Sequence, residues 1–168
     1  PNGKSKHNSV RIIGGQWKGS RIIVADSQEV RPTPDRVRET LFNWLASSIR
    51  GSRCADLYAG TGVLGLEALS RGCKELTMID IDSSVCDSLS GLLEKFGADE
   101  KAQVICADTI ESICHLDGQF DVVFLDPPFA KKLLRPSLEA LRLNQKLCGG
   151  GLVYVETVSY THLTLPTK

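Results

Sequence analysis

The central part of the chain alternates short apolar runs with segments in which apolar residues recur at helical spacing. The runs predict five strands, at residues 54–58, 76–80, 103–107, 120–125 and 151–156. The segments between them predict helices at residues 65–70, 84–96, 110–115 and 133–143. Strands that alternate with helices form βαβ units, so the pattern predicts an α/β fold with a mostly parallel sheet and helices on both faces.

The residues before this alternating part follow a different pattern. Residues 11–24 predict a β-hairpin, because two β-branched runs flank a glycine-rich turn. A helix is predicted after residues 31–34, with Thr33 or Asp35 as its cap and Pro34 in its first turn. Its apolar face is predicted from helical spacing to consist of Val37, Leu41, Trp44 and Leu45.

These patterns together predict a single domain built from two parts. Residues 1–53 are expected to form a hairpin and helix that pack on a core of residues 54–157. Residues 158–168 continue neither pattern, and we expect them to be a non-native tail outside the fold. No repeat or coiled-coil pattern is present, so we expect a monomer.

Charge is distributed unevenly along the chain, although the formal net charge is zero. Residues 1–53 carry a net charge of +6, and residues 54–168 carry −6. A basic arm on an acidic body is typical of a protein that contacts nucleic-acid phosphates, while a solvated charged segment without a partner is the alternative.

Composition indicates a soluble cytoplasmic protein. With 42% hydrophobic and 24% charged residues, the chain resembles ordinary globular domains, and it has no run of the roughly 18–20 apolar residues that a membrane span needs. Its six cysteines form no Cys-x-x-Cys pair and its three histidines are not spaced as ligands. We therefore expect reduced thiols and no metal site.

A glycine-rich loop, Gly60-x-Gly62-x-x-Gly65, follows the first core strand and opens the next helix. Dinucleotide sites share this spacing, so the glycines alone define only a nucleotide-type cofactor loop. Asp56 lies just before the loop, where a carboxylate is suited to an amino-acid ammonium and poorly suited to a pyrophosphate. The loop and Asp56 together favour S-adenosylmethionine.

Further carboxylates follow neighbouring strands. Asp80 and Asp82 end the second core strand, where a carboxylate is suited to accept both ribose hydroxyls. Asp80 is favoured for this role, because Asp82 is equally suited to cap the next helix. Asp108 follows the third core strand, where it either accepts from an adenine amino group or caps a helix.

The segment Asp126-Pro127-Pro128-Phe129, directly after the most apolar strand, is the most specific signal. An amino group on an aromatic base is a poor nucleophile because its lone pair is delocalised into the ring. The Asp126 carboxylate and the Pro127 carbonyl can hold the amine hydrogens, and the two prolines fix this backbone in advance. Phe129 offers a surface on which an unstacked base can rest.

Four segments of the chain closely resemble the bacterial 16S ribosomal RNA guanine-N2 methyltransferase family: residues 11–19, 31–45, 60–72 and 126–129. The resemblance covers about residues 10–157. It implies a Rossmann-like S-adenosylmethionine methyltransferase fold, S-adenosylmethionine as cofactor, and ribosomal RNA or the small ribosomal subunit as partner. It also implies that the family's closing antiparallel strands are missing here.

The resemblance also assigns roles to individual residues. It implies that Thr33 and the helix after it close over the methionine end of the cofactor. The residues expected to hold the cofactor are Thr33, Asp56, Tyr58, Gly60, Gly62, Gly65, Asp80 and Asp108. Those expected to lie near RNA are Arg11, Trp17, Lys18, Arg21, Arg36 and Arg38, although Arg36 and Arg38 are equally placed for the cofactor.

Three other functions remain open from the residues. An adenine-N6 methyltransferase would use the same amine geometry. A nicotinamide-dependent oxidoreductase would use the glycine loop but leaves Asp126 and the two prolines without a role. A non-catalytic module would bind RNA through residues 1–53 and transfer nothing.

Overall fold

The structure, a computed structural model, describes residues 8–24, 32–128 and 131–156, and the backbone of residues 161–164. Its elements in chain order are β1 (Ser9–Arg11), β2 (Arg21–Ile23), α1 (Asp35–Trp44), α2 (Ala46–Ile49), β3 (Arg53–Asp56), α3 (Val63–Ser70), β4 (Glu75–Asp80), α4 (Ser83–Lys95), β5 (Ala102–Cys106), α5 (Thr109–Ile113), β6 (Phe120–Leu125), α6 (Leu134–Leu143), β7 (Leu147–Glu156) and β8 (Thr161–Thr164). None of the helices in these ranges has the length and apolar character needed to cross a bilayer.

The main sheet has six strands in the order β5-β4-β3-β6-β7-β8. The first five are parallel, as the alternating pattern predicts. Alternate residues of its strands enter different hydrophobic clusters: Cys54 and Val122 belong to one, and Ala55 and Val123 to the other. Both faces of the sheet are therefore covered, which confirms the predicted α/β architecture.

The strand order reverses at the centre of this sheet. The chain goes outward from β3 through β4 to β5, then returns to the other side of β3 with β6 and β7. A crevice opens beyond the carboxyl ends of the strands at such a reversal, because the connecting helices leave in opposite directions. The β3 and β6 ends, which carry Asp56 and Asp126, therefore mark the expected ligand site.

The expectation that residues 158–168 lie outside the fold is wrong for residues 161–164, while the expectation that this segment is non-native stays a prediction. Residues Thr161–Thr164 form β8, which pairs antiparallel with β7 in the register Val153↔Thr164 to Glu156↔Thr161. One closing antiparallel strand is thus present, and residues 161–164 are part of the fold because they satisfy the outer edge of β7. The rest of the segment 157–168 lies outside the described residues.

The N-terminal hairpin is present and packs on the core. The loop between β1 and β2 lies against the end of α3, where the amides of Gln16 and Trp17 donate to the carbonyl and hydroxyl oxygens of Ser70 at 2.7 and 2.9 Å. A Cβ on Gly15, whose φ is +79°, would lie 2.0 Å from the Ser70 carbonyl oxygen. The backbone approach therefore requires glycine at this position.

A buried ion pair joins the hairpin, α1 and α3. The carboxylate of Glu67 accepts from the amides of Ile13 and Gly14 and from the guanidinium groups of Arg38 and Arg71. The Arg38 and Glu67 side chains are both fully buried and lie 3.3 Å apart. Because every buried charge here has partners, the network holds the three elements in one arrangement.

Two details of α1 differ from the sequence prediction. The cap position is held by Pro34, and no side chain caps the helix. The Thr33 hydroxyl instead donates to Glu156, and Asp35 pairs with Arg38. Trp44, predicted on the apolar face, is 57% exposed, while Phe42 is fully buried against Phe124.

Candidate active site

Five carboxyl groups are gathered at one edge of the parallel sheet. Asp56, Asp80 and Glu156 are the last residues of β3, β4 and β7, Asp126 directly follows β6, and Asp108 follows β5 by two positions. All of these strands point the same way, so their carboxyl ends meet at this edge. The edge is strongly acidic and suited to a ligand that carries positive charge.

The glycine loop between β3 and α3 is shaped by close packing. Gly62 precedes α3 with a φ of +78°, and a Cβ there would lie 2.4 Å from the Leu89 side chain. A Cβ on Gly65 would lie 3.0 Å from Leu76, so this glycine allows α3 to approach β4. The amide of Gly60 donates to the Asp80 carboxylate at 3.0 Å. The loop is thus held against the end of β4.

Asp56 is the most perturbed group at this edge. It is 2% exposed and accepts a hydrogen bond of 3.2 Å from the amide of Gly65, in the first turn of α3. Burial, with smaller contributions from the charges of Asp126 and Asp80, raises the pKa of Asp56 to about 8. The Asp56 carboxyl group therefore already accepts from an amide at the helix N-terminus to which a pyrophosphate would bind. This contact disfavours a dinucleotide as the cofactor.

The carboxylates after β4 and β5 already hold backbone groups. The two oxygens of Asp80 accept from the amides of Gly60 and Asp82, each at 3.0 Å. Asp82 caps α4, as the sequence allows, and Asp108 caps α5 through the amide of Glu111 at 3.0 Å. The cap role of Asp108 is thus observed, and its predicted adenine contact stays a prediction.

Tyr58 and Thr33 make hydrogen bonds that the sequence does not predict. The Tyr58 hydroxyl lies 2.7 Å from the Ser137 hydroxyl on α6, and burial raises the pKa of Tyr58. Thr33 is buried, and its hydroxyl donates a hydrogen bond of 3.1 Å to Oε2 of Glu156. Both hydroxyl groups therefore tie neighbouring segments to the site edge, and their predicted cofactor contacts stay predictions.

Asp126 is half-buried and lies beside Glu156 of the neighbouring strand. The register Leu125↔Val155 between β6 and β7 places these two residues side by side. Burial, followed by the charge of Glu156, raises the pKa of Asp126 to about 7. Pro127 is buried and Pro128 exposed, and Phe129 lies outside the described residues.

The residues predicted to contact RNA differ in how exposed they are. Arg11, Lys18, Arg21 and Arg36 are exposed, and Arg11 pairs with Asp35 at 2.8 Å. Trp17 is half-buried, and its ring stacks on Phe96 with the centroids 4.6 Å apart.

The prediction that Arg38 contacts RNA is wrong. Its side chain is fully buried, and it donates to Asp35, to Glu67 and to the carbonyl oxygens of Thr33 and Arg11. A guanidinium enclosed in this way has no surface to offer a phosphate, so Arg38 is a structural residue.

Two residues of the site edge, Glu156 and Ile81, are not predicted from the sequence. Glu156 ends β7 at the position that Asp80 takes on β4, and this shared strand-end position is the signal that would have found it. Ile81 is 65% exposed directly after Asp80, where a large apolar side chain in solvent offers a surface to a flat ring. Both lie beside carboxylates that the sequence did single out.

Comparison with known proteins gives consistent results. The chain is 42% identical over 169 residues to "Ribosomal RNA small subunit methyltransferase D" of Haemophilus influenzae, covering 99% of this chain and 86% of that protein. It is 42% identical over 153 residues to the protein of the same name from Escherichia coli, covering 91% and 77%. A solved Escherichia coli structure superposes with a TM-score of 0.80 at 42% identity, over 89% of this chain and 81% of that one.

The parallel sheet, the glycine loop and the acidic carboxyl edge define an α/β methyltransferase with a methyl donor of the S-adenosylmethionine type. Within this class, the family model described as "Conserved hypothetical protein 95" matches residues 10–167. The chain belongs to this family.

Proposed function

We propose that this methyltransferase transfers a methyl group from S-adenosylmethionine to the exocyclic N2 amine of a guanine in small-subunit ribosomal RNA. The observation that carries the proposal is the position of Asp126 and Pro127 directly after β6, beside the buried carboxyl group of Asp56. The names of the relatives, which are small-subunit ribosomal RNA methyltransferases, support the substrate class.

The acidic edge fits the positive groups of the methyl donor. Asp56 is proposed to hold the amino-acid ammonium, and Asp80 the two ribose hydroxyls, since each of its oxygens keeps a lone pair beyond the amide that it accepts. Asp108 is proposed to accept from the adenine amino group, while Thr33, Tyr58 and the loop glycines Gly60, Gly62 and Gly65 line the remaining surface. Exposed Ile81 offers the adenine an apolar surface.

When bound, S-adenosylmethionine would supply an electrophilic methyl group on a positively charged sulfur: the C–S bond would break as the N–C bond forms, and the neutral thioether of S-adenosylhomocysteine would be the leaving group. The chain's own residues orient the amine. The Asp126 carboxylate and the Pro127 carbonyl accept the two N2 hydrogens, so that the lone pair is localised. Asp126 then takes the surplus proton of the methylated amine, for which its pKa of about 7 is suited. Phe129 and Pro128 are proposed to border the base.

The RNA is proposed to lie on the exposed face of the hairpin. Arg11 and Arg21 are cross-strand neighbours in the register of β1 and β2, so both guanidinium groups leave the same face. Lys18 and Arg36 add exposed positive charge, and Trp17 adds a partly exposed ring. Phosphate contacts from these residues would hold the RNA without reading its sequence.

We propose a monomer that acts in the bacterial cytoplasm, where the small subunit is assembled.

The test is transfer of an isotope-labelled methyl group to small ribosomal subunits from cells that lack this family's enzyme. We expect label in the RNA with the wild-type chain and none with Asp126→Ala. Duplex DNA offered in place of the subunits should stay unlabelled. Label in DNA, or equal labelling by both chains, would contradict the proposal. An RNA that binds but acquires no label would support a non-catalytic binding module.

A further inference from the structure

Glu156 lies beside the proposed methyl-acceptor site and has no assigned role. It ends β7, next to Asp126 in the parallel pairing of β6 with β7. The carboxyl edge thus presents two adjacent carboxyl groups where one is enough to orient an amine. Such a pair is costly to bury without a purpose, because the two groups repel each other when both are ionised.

The second carboxyl group is held in place from the other side. The buried hydroxyl of Thr33 donates 3.1 Å to Oε2 of Glu156, although the two residues are 123 positions apart in the chain. Thr33 is itself fixed, because its carbonyl oxygen accepts from the buried guanidinium of Arg38 at 3.0 Å. Glu156 is therefore a preorganised hydrogen-bond acceptor, and little ordering is needed when a donor binds.

Two adjacent acceptors match the edge of only one purine. The N2 amine of guanine lies next to N1–H, so guanine presents neighbouring donors. Adenine presents its N6 amine next to N1, which is an acceptor. When Asp126 and the Pro127 carbonyl accept the N2 hydrogens of guanine, its N1–H donor still needs an acceptor, and the Glu156 carboxylate can provide one. With adenine in the same place, the acceptor N1 would face a lone pair of that carboxylate and be repelled.

We propose that Glu156 is the specificity-determining residue of the site, accepting N1–H of the target guanine while Asp126 and Pro127 hold its N2 amine. This inference rests on the proposed function, since it presupposes a guanine acceptor. On binding, N1–H of the guanine donates to the carboxylate of Glu156, which the Thr33 hydroxyl holds from the other side. Adenine is rejected because its N1 and the carboxylate are both acceptors.

The decisive substrate is 2,6-diaminopurine, which keeps a 2-amine but has an unprotonated N1. Small-subunit RNA is ligated from a synthetic fragment that carries guanosine or diaminopurine riboside at the mapped target, and is then assembled with small-subunit proteins. We expect the wild-type chain to prefer guanine by about 100-fold in kcat/KM, and Glu156→Gln to lower this ratio by about tenfold or more. The amide of Glu156→Gln can donate to N1 of diaminopurine, so this variant should methylate diaminopurine faster relative to guanine than the wild-type chain does.

Controls separate specificity from stability. Glu94→Gln, the same change at an exposed position of α4, should leave the ratio unchanged. Binding of S-adenosylhomocysteine shows whether Glu156→Gln is folded, and Glu156→Asp, which keeps the charge but shortens the side chain, provides a second variant.

Two results would overturn the inference: a wild-type chain that methylates both purines equally, or a Glu156 variant in which both rates fall by the same factor. Either can occur while guanine N2 is still methylated. Failure of the proposed function would appear differently, as a wild-type chain that forms no N2-methylguanosine at all.

Discussion

The buried carboxyl group of Asp56 accepts a hydrogen bond of 3.2 Å from the amide of Gly65, at the start of the helix that follows the glycine loop. This contact joins the strand end to the loop that is proposed to hold the cofactor. Burial raises the pKa of this carboxyl group to about 8. A bound cation beside it would stabilise the ionised form and lower that pKa. The protonation of Asp56 should therefore be linked to cofactor binding.

Affinity for S-adenosylhomocysteine should rise with pH. Below pH 8 Asp56 is protonated in the free protein, and an ammonium group favours its ionised form, so binding must release a proton. The association constant should increase by up to about tenfold per pH unit from about pH 6 to pH 8, then level off. Calorimetric titrations at several pH values measure this, and Asp56→Asn should abolish the slope.

The same pKa shift predicts how stability depends on pH. Asp56 has a higher pKa in the folded than in the unfolded protein, so folding takes up a proton. Its contribution to the free energy of unfolding is fully present below the unfolded pKa of about 4 and is lost as pH rises through about 8. Urea unfolding of the ligand-free chain should show this decline, and Asp56→Asn should flatten it. Equal slopes for both chains would show that burial does not hold the proton on Asp56.

Replacing Asp126 should separate catalysis from cofactor binding. Asp126→Ala removes one acceptor of the amine hydrogens, and we expect kcat to fall by about 100- to 1000-fold. The Kd for S-adenosylhomocysteine should change little, because the proposed cofactor contacts lie on other strands. The matched control is Asp117→Ala, at an exposed position before β6. A parallel loss of activity and cofactor binding would show that Asp126 is structural.

Two glycines provide a test of how the hairpin is attached. Gly15 and Gly19 both have left-handed backbone, with φ of +79° and +87°. A Cβ on Gly15 would lie 2.0 Å from the carbonyl oxygen of Ser70, while one on Gly19 would meet nothing within 4 Å. Gly19→Ala should cost about 1–2 kcal/mol of unfolding free energy from backbone strain alone. Gly15→Ala should cost clearly more in urea unfolding, and similar losses would contradict close docking on α3.

Exposed arginines of the hairpin should contribute to RNA affinity through phosphate contacts. Arg21→Gln should weaken RNA binding and reduce the slope of log K against log salt by about 0.7–0.9. Cofactor affinity should be unaffected. Arg142→Gln, at an exposed position of α6, is the control and should leave the slope unchanged. An unchanged slope for Arg21→Gln would place the RNA elsewhere on the surface.

The alternation of strands and helices along the sequence was enough to predict the sheet. Short apolar runs and helical spacing of apolar residues are both local patterns, so each element can be recognised from its own residues. Asp56 and Asp80 were found for the same reason, since each ends a strand, and Asp126 was found from the two prolines that follow it directly after β6. Sequence spacing carries no information about which side chains meet across the fold. The fully buried ion pair of Arg38 with Glu67 and the contact between Thr33 and Glu156 therefore became visible only in the structure.

Other errors have similar physical causes. Arg38 and Arg36 are both basic residues of α1, but helical spacing points Arg38 inward, where Glu67 compensates its charge. Gly14 and Gly15 lie in the turn between β1 and β2, as the sequence predicts, but the close approach of this loop to the end of α3 is visible only in the structure. The strand at residues 161–164 has no alternating pattern, and its backbone pairing with β7 defines it.

The central claim is that the N2 amine of guanine receives the methyl group, and the identity of the modified nucleoside tests it most directly. Small-subunit RNA methylated by the wild-type chain with labelled S-adenosylmethionine is digested to nucleosides and separated by chromatography with mass detection. We predict that all label elutes as N2-methylguanosine. Label in N6-methyladenosine would contradict the claim and would assign Asp126 and its prolines to an adenine methyltransferase.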